Sequence, residues 1–333
     1  MLNTGILSTA KIAREQLIPA GLVAEGVRIQ AIASRNLSTA QAVAERFQIP
    51  DRFGSYDELL ASDRIDSVYI PLPTSQHVEW AIRAADAGKH VLVEKPLALK
   101  AEDIQAVIEA RERNGVIITE AFMVHYHPQW AFVRQALADG KIGRLRHVQG
   151  VFSYYNRDPA NMRNQVALGG GALPDIGVYP TVTTRIATGQ EPQSVVARVE
   201  FDPDFGTDIY ATVQAEFEGF QLDFYVSTVM ALKQAMRFHG ESGYIELHAP
   251  FNAGHYEQAR VAIYNQNHSL LEEKVFIGVN QYQLQWEALA RAAASGDTAE
   301  LFSLEDSVRN QRVLDAAYAS ARSGQWATVG ADQ

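Results

Sequence analysis

The chain contains no cysteine among its 333 residues. Disulfides, thiolate metal sites and a cysteine nucleophile are therefore excluded. Basic residues are also in deficit, because 29 Lys and Arg face 39 Asp and Glu and give a formal net charge of −10. That balance argues against a nucleic-acid-binding or anionic-membrane surface. No apolar run approaches the roughly 18 residues that a membrane span needs.

The N-terminal stretch "MLNTGILSTA" lacks the basic segment and apolar core of a signal peptide. These absences together predict a cytoplasmic protein that binds neither nucleic acid nor membranes. The length is typical of two domains.

Strands and helices alternate over the first 120 residues. Apolar strands are predicted in "TGIL" (4–7), "VRIQAIAS" (27–34), "RIDSVYIPLP" (64–73), "VLVEKP" (91–96) and "VIIT" (116–119). This alternation indicates βαβ units, and the near-continuous apolar runs indicate strands buried on both faces. Residues 1–120 are therefore predicted to form an α/β domain with a doubly wound parallel sheet.

After Glu120 strand-like segments follow one another with few helices between them. Examples are "LRHVQGVFSYY", "IYATVQAEFEG" and "FQLDFYVS". This pattern predicts an α+β domain with a large, mostly antiparallel sheet over residues 121–333. The chain closes with an amphipathic helix at 303–324, where Ser303 and Asp306 resemble a capping box.

The segment "GILSTAKIA" (5–13) follows the first strand, where a dinucleotide-binding fold carries G-x-G-x-x-G/A. Ser8 and Ala10 occupy the first two glycine positions, and only the third, Ala13, matches. On its own this segment is equally consistent with a turn that binds no nucleotide.

The second strand ends in Ser34, Arg35 and Asn36 rather than in the Asp or Glu of an NAD site. A carboxylate repels a 2′-phosphate, whereas a hydroxyl and a guanidinium bind it. These residues predict a preference for NADP over NAD. The alternative is a surface arginine on a solvated loop.

Lys95 stands directly after the buried strand "VLVE", at the sheet edge where ligands bind in open α/β sheets. Pro96 restricts Lys95 to extended conformations. A lysine held there can serve as a fixed positive charge or as a general acid/base. The alternative is a lysine that merely extends from a strand end into solvent.

The segment "GGGALPDIGVYP" (169–180) places Asp175 and Tyr179 at i, i+4, hence on one face if it is helical. Its glycines allow a close approach of the backbone to another group, such as a substrate. Tyr179 is alternatively a half-buried helix residue. His125 and His127 alternate, which on a strand would place them on one face. With no third ligand apparent, no metal site is predicted.

Four segments together resemble the glucose–fructose oxidoreductase / inositol dehydrogenase / MocA (Gfo/Idh/MocA) family. They are "GILSTAKIA", "PLPTSQHVEWAIRAADAGKHVLVEKPLAL", "EAFMVHYHPQ" and "GGGALPDIGVYP". Within it, the NADP-dependent D-xylose dehydrogenase and dimeric dihydrodiol dehydrogenase branch is most similar, because it carries tyrosine at the Tyr179 position. The resemblance implies a Rossmann domain followed by a domain with a large open sheet, which often forms the oligomer interface, and an active site between the domains.

The resemblance also assigns residues. Lys95, Tyr179 and Asp175 would be catalytic, with Tyr179 as general base. A tyrosine has an ordinary pKa of about 10, and an adjacent ammonium such as Lys95 lowers it. The implied cofactor contacts are Ser8, Thr9, Ala10, Lys11, Ile12, Ser34, Arg35, Leu72, Pro73, Thr74, His77, Glu94 and Lys95. The implied substrate contacts are His125, His127, Asn161, Arg163 and Tyr282.

The expected activity is hydride transfer between NADP and a hydroxyl or carbonyl of an aldopyranose or related cyclic polyol. The expected assembly is a homodimer or homotetramer formed through the second domain's sheet. Two alternatives stay open: an enzyme that recycles its bound dinucleotide while processing glycosides, and a non-catalytic NADP sensor. Ser8 and Ala10 favour the sensor, whereas the presence of Lys95 and Tyr179 opposes it.

Overall fold

The computed structural model describes residues 1–255 and 258–330. Residues 256–257 and 331–333, inside the predicted second domain, lie outside the described residues. The chain divides into two compact units: unit 1 comprises Met1–Tyr126 and Asn280–Val308, and unit 2 comprises His127–Val279 and Arg309–Gln333. No described helix has the length and apolarity that crossing a membrane requires.

Unit 1 is built on a parallel sheet that has six strands within the described residues. The strands are β1 (Leu2–Leu7), β2 (Val27–Ala33), β3 (Asp51–Phe53), β4 (Ser67–Ile70), β5 (His90–Val93) and β6 (Ile118–Glu120). Their order is β3-β2-β1-β4-β5-β6, and every pairing is parallel. This order has a switch point between β1 and β4, where open α/β sheets bind ligands.

The α-helices of the described residues are α1 (Ile18–Gly21), α2 (Leu37–Phe47), α3 (Tyr56–Leu60), α4 (His77–Asp86), α5 (Ile104–Asn114), α6 (Pro128–Ala138), α7 (Val178–Thr188), α8 (Gln281–Ser295) and α9 (Leu304–Ser323). Two π-helical turns, Ala13–Leu17 and Leu173–Gly177, precede α1 and α7. Ser303 accepts a hydrogen bond from the Asp306 amide at 3.0 Å and donates to its carboxylate at 2.8 Å, so the predicted cap of the last helix is confirmed.

Both faces of the unit 1 sheet are buried, which explains the near-continuous apolar runs of its strands. One core includes Val68, Val91 and Val93, with residues from α3, α4 and α5. The other includes Ile6 and Ile32, with residues from α1, α2 and α8. Unit 1 is therefore doubly wound, as the sequence predicts.

The observed division differs from the predicted boundary at residue 120, because the segment 280–308 returns to unit 1. Trp286, on α8, is fully buried there and donates its indole N–H to the carbonyl of Leu17 at 2.9 Å. Its ring also packs edge-on against Tyr69 of β4. Nothing in the sequence of α8 indicates the sheet on which it packs.

Unit 2 holds a sheet that has nine strands within the described residues. They are β7 (Leu145–Tyr155), β8 (Ser194–Phe201), β9 (Asp208–Phe217), β10 (Phe220–Ser227), β11 (Val229–Gly240), β12 (Gly243–Leu247), β13 (Ala259–Asn265), β14 (Leu270–Phe276) and β15 (Ala327–Thr328). Their order is β14-β13-β12-β11-β7-β10-β9-β8-β15. Within this sheet, only the β7–β10 pairing among the described strands is parallel. The fold class predicted from the sequence, a Rossmann domain plus an α+β domain with a large, mostly antiparallel sheet, is thus confirmed.

One face of the unit 2 sheet carries the helices. Gly150 of β7 makes this possible, because a Cβ there would lie 3.0 Å from Pro180 of α7. Along β9 buried residues alternate with more exposed ones, as expected for a sheet with one covered face and one open face.

Candidate active site

The residues predicted to bind a cofactor follow the carboxyl ends of the unit 1 strands. Ser8–Ile12 follow β1, Ser34 and Arg35 follow β2, Leu72–Thr74 follow β4, and Glu94 and Lys95 follow β5. Parallel strands end at the same edge of a sheet, so these segments share one edge, which we call the ligand edge.

The turn after β1 has the backbone shape of a glycine turn although it carries serine. Ser8 has φ 138°, a region that L side chains rarely adopt. Its hydroxyl accepts a hydrogen bond from the Ala10 amide at 3.1 Å. Ser8 therefore adopts the conformation for which the G-x-G-x-x-G/A motif uses glycine. In the next turn Lys11 is exposed and lies 3.9 Å from Glu15.

The turn after β2 presents a positive charge. Arg35 is exposed, and it forms no ion pair with any residue in the described ranges. Tyr56 lies near both turns: burial raises its pKa, while the charge of Arg35 and a hydrogen bond with Ser8 lower it. A glycine-type turn, hydroxyls and a guanidinium at one edge are groups that bind a phosphate.

Charged groups surround the end of β5. Glu94 accepts a hydrogen bond from the Tyr69 hydroxyl at 2.6 Å. Tyr282, at the start of α8, lies close enough that the Glu94 charge, after burial, raises its pKa. Lys95 acts electrostatically on both His77 and Glu120. The structure thus brings Glu94, Lys95 and Tyr282 together, as three of the predicted site residues.

His77 begins α4 and is 1% exposed. Its Nδ1 lies 2.8 Å from the carbonyl oxygen of Pro96, and its Nε2 lies 2.7 Å from that of Leu72. Both ring nitrogens are occupied by backbone groups of the ligand edge. The ring therefore contacts the segments that follow β4 and β5.

Glu120 was missed by the sequence analysis as a site residue. It ends β6 opposite Val93 of β5 and is 2% exposed. Its carboxylate accepts the Leu97 amide at 2.8 Å. Burial, chiefly, and the Glu94 charge raise its pKa to about 7, against hydrogen bonds from Ser307 and Leu97 and the charge of Lys95. The available signal was a charged residue at the end of an apolar strand, a pattern similar to the one that identified Lys95.

Tyr179 lies on α7 in unit 2 and is 4% exposed. Its ring packs against Phe152 and Phe251, with centroids 5.6 and 5.5 Å away. Arg163 is close enough for an electrostatic interaction with Tyr179. A cation near a phenol favours its phenolate form, which is the form that accepts a proton.

Asp175, in the π-helical turn before α7, forms a polar cluster inside unit 2. Its Oδ2 accepts the Tyr154 hydroxyl at 2.6 Å and the Arg163 Nε at 2.7 Å. Burial first, and then the Asp175 charge, raise the pKa of Tyr154. Tyr154 is a second residue that the sequence analysis missed, because its strand "LRHVQGVFSYY" gives no sign of which residue faces Asp175.

The remaining predicted substrate residues have local structural roles in the described residues. His125 lies in a 3₁₀ turn, Met123–Tyr126, and its Nε2 contacts the Glu300 carbonyl at 3.2 Å. His127 caps α6 by accepting the Gln129 amide at 3.2 Å. Neither histidine lies on a strand, because Pro128 starts a helix, so the shared face that a strand would give them does not arise. Asn161 accepts the Arg163 amide at 3.1 Å.

The close approach expected of "GGG" is to the protein itself. A Cβ on Gly170 would lie 2.4 Å from the Arg163 carbonyl oxygen, and one on Gly171 would lie 2.0 Å from the Asp208 carboxylate. These glycines therefore let the loop before α7 pack against Arg163 and Asp208. No group of three or more His, Asp or Glu side chains within the described ranges is placed to hold a metal ion.

Comparison with known proteins identifies both parts of the chain. A model described as "Oxidoreductase family, NAD-binding Rossmann fold" (GFO_IDH_MocA) matches residues 2–122, and one described as "GFO/IDH/MocA C-terminal domain" matches residues 130–246. An uncharacterized oxidoreductase, ORF334, of Rhizobium meliloti is 43% identical over 99% of each chain. A D-xylose 1-dehydrogenase (NADP(+)) of Haloferax volcanii is 35% identical over 96% of this chain and 97% of its own.

A solved structure shows the same fold. It is a 3-ketoreductase from Actinomadura kijaniata in complex with NADP and TDP-benzene, 30% identical, with a TM-score of 0.90 over 96% of this chain and 97% of that one. The D-xylose dehydrogenase is named for NADP(+), and the 3-ketoreductase was solved with NADP bound.

Proposed function

The chain belongs to the Gfo/Idh/MocA family of oxidoreductases, and from this premise we propose that it is an NADP-dependent dehydrogenase. Its substrate is a hydroxyl or carbonyl carbon of a monosaccharide, as an aldopyranose, or of a related cyclic polyol. The relatives support the sugar class, since one oxidises D-xylose and another is a 3-ketoreductase.

One observation carries the proposal: Lys95 stands at the ligand edge of unit 1, after β5, among Glu94, Glu120 and His77. A lysine directly after a buried strand is costly unless its charge has a use. At that edge a fixed ammonium can hold a substrate hydroxyl and stabilise negative charge on its oxygen.

The ligand edge suits NADP. The Ser8 turn allows close approach of a pyrophosphate, and the exposed Arg35 with Ser34 suits a 2′-phosphate. Ser8–Ile12, Leu72–Thr74 and Glu94 would complete the cofactor contacts, and His77 would support them through its contact with the Leu72 carbonyl. When bound, NADP supplies the nicotinamide carbon that accepts or returns the hydride.

The residues of unit 2 supply the proton chemistry. Tyr179 takes the proton of the substrate hydroxyl on oxidation and returns it on reduction. Arg163 favours the phenolate, and Asp175 holds Arg163 at 2.7 Å. Lys95 anchors the hydroxyl. His125, His127, Asn161 and Tyr282 remain proposed substrate contacts.

Absorbance-monitored reduction of NADP⁺ with a panel of aldoses and cyclic diols tests the proposal, with NAD⁺ run in parallel. NADPH should accumulate with at least one sugar, and Tyr179→Phe should lower kcat by about 100-fold or more while NADPH binding is unchanged. Tyr225→Phe, on β10 in the same unit, serves as the control and should retain normal turnover. Near-normal turnover by Tyr179→Phe would refute its role as the base.

Absence of NADPH accumulation with every sugar, together with tight NADPH binding, would refute the dehydrogenase. Conversion of sugar without net NADPH would then indicate a recycled dinucleotide, and no conversion at all would indicate a sensor. Assembly into a homodimer or homotetramer through the open sheet of unit 2 remains part of the proposal, and sedimentation velocity tests it.

A further inference from the structure

One peptide group next to Lys95 is bound at both of its ends by buried titratable side chains. The carbonyl oxygen of Pro96 lies 2.8 Å from Nδ1 of His77, and the amide of Leu97 donates to Glu120 at 2.8 Å. The peptide between Pro96 and Leu97 is therefore held by one side chain on its oxygen and another on its nitrogen. The two side chains are 1% and 2% exposed.

His77 makes a second contact of the same kind, since its Nε2 lies 2.7 Å from the Leu72 carbonyl oxygen. A carbonyl oxygen only accepts hydrogen bonds, and a neutral imidazole carries one N–H. A neutral ring would thus set one nitrogen lone pair against a carbonyl lone pair at hydrogen-bond distance. Only the doubly protonated ring makes both bonds.

Two influences on this ring oppose each other. Burial, the larger, lowers the pKa of His77, and so does the nearby Lys95 charge, whereas the two carbonyl bonds raise it. The two short contacts favour the cation, because each would be lost or made repulsive if the ring lost a proton. Glu120 lies close enough to Lys95 for an electrostatic interaction, which partly offsets the Lys95 charge when Glu120 is ionised.

We propose that His77, protonated on both ring nitrogens, and Glu120 are positioning residues. His77 donates a hydrogen bond to the oxygen of the Pro96–Leu97 peptide, and Glu120 accepts one from its nitrogen. They fix the segment that carries Lys95, and His77 also ties it to the Leu72 segment after β4. The catalytic consequence rests on the proposed function, while the protonation of His77 does not.

The state of the ring is measured directly by ¹⁵N NMR of histidine-labelled protein, with the His77 signals assigned by their loss in His77→Asn. At about pH 7.5 both ring nitrogens of His77 should give the shifts of a protonated imidazolium. A neutral tautomer for His77 would overturn the proposal, whether or not any sugar is turned over.

Two substitutions separate the two carbonyl contacts. The amide nitrogen of asparagine can replace Nδ1, and that of glutamine can replace Nε2. His77→Gln keeps the Leu72 contact but releases Pro96, so kcat should fall by about 100-fold with NADPH affinity near normal. His77→Asn keeps the Pro96 contact, so NADPH affinity should fall and kcat should change less. The same pattern in both variants would overturn the positioning role.

Glu120 is tested by a matched pair. Glu120→Gln keeps an oxygen for the Leu97 amide, whereas Glu120→Leu removes it. Turnover should be largely retained in the first and lowered by about tenfold or more in the second. The control is Thr119→Val, a fully buried neighbour that donates to the Phe302 carbonyl instead, and its kcat should stay normal. Equal kcat for the two Glu120 variants would contradict a positioning role of Glu120 through the Leu97 amide.

Discussion

The substitution Glu120→Gln gives a stability test whose size follows from the structure. The pKa of Glu120 is about 7 in the folded protein against an ordinary 4.5. Each pH unit of difference corresponds to about 1.36 kcal/mol, so the ionised carboxylate costs the folded state on the order of 3 kcal/mol.

The direction of the pH dependence of stability follows from which state, folded or unfolded, binds the Glu120 proton more tightly. Folded Glu120 retains its proton at pH values where the unfolded chain has already lost it. Stability therefore falls as pH rises from about 4.5 through about 7, and the full cost is present above the folded pKa. Glutamine cannot ionise and still accepts the Leu97 amide, so the variant avoids this cost.

Thermal unfolding of both proteins at about pH 4.5 and about pH 8.5 measures the effect, because these values lie at or beyond the two pKa values. One kcal/mol moves the midpoint of a domain of this size by about 2–4 °C. The difference in midpoint between variant and wild type should therefore be larger at the higher pH by roughly 6–12 °C. A pH-independent difference, or a variant that is less stable at the higher pH, would refute the reasoning.

Infrared difference spectroscopy gives an independent measurement. The protonated carboxyl of Glu120 should show a C=O band near neutral pH that is missing from Glu120→Gln. Persistence of that band in the variant would assign it to another carboxyl.

Three further predictions concern single sites. Arg35→Ala should weaken NADPH binding about 10- to 100-fold, through loss of a charge-assisted bond to the 2′-phosphate, with little change for NADH; Arg28→Ala, at the opposite end of β2, is the control, and equal losses for the two dinucleotides would contradict the NADP preference. Ser8→Gly should be more stable than Ser8→Ala by about 1 kcal/mol, since both lose the hydroxyl but only glycine suits φ 138°. Equal stability of the two variants in denaturation curves would show that the backbone at residue 8 is not strained. Burial lowers the pKa of His127 to about 4, so wild type should lose roughly 3 kcal/mol as pH falls from about 6.5 to about 4; a parallel loss in His127→Gln, followed by thermal midpoints, would show that another group is responsible.

The positions of the unit 1 residues were largely predictable because they depend on local sequence order. A charged or hydroxyl residue directly after a buried strand must lie at the ligand edge, and that rule places Ser8, Arg35 and Lys95 without any knowledge of packing. Glu120 obeys the same rule. It was overlooked because its role depends on the pairing of Val93 with Glu120 and on a bond to Leu97, 23 residues away.

What the sequence could not supply are contacts set by tertiary packing. Tyr154 reaches Asp175 across 21 residues, and the glycines before α7 fit against Asp208, 37 residues further on than Gly171. His125 and His127 do not share a strand face, since Pro128 starts α6 and His127 caps it.

The free-energy cost of placing the Lys95 ammonium at a buried strand end is offset by its neighbours in the proposed site. An ammonium at a buried strand end needs nearby negative charge. Glu94 and Glu120 provide it, Tyr69 binds Glu94, and His77 holds the following peptide. These residues all belong to unit 1, whereas the Tyr179 cluster belongs to unit 2. Substitutions that disturb the Lys95 surroundings should therefore change the pH dependence of turnover for every sugar alike, while substitutions around Tyr179 and Asp175 should also change the ranking of sugars.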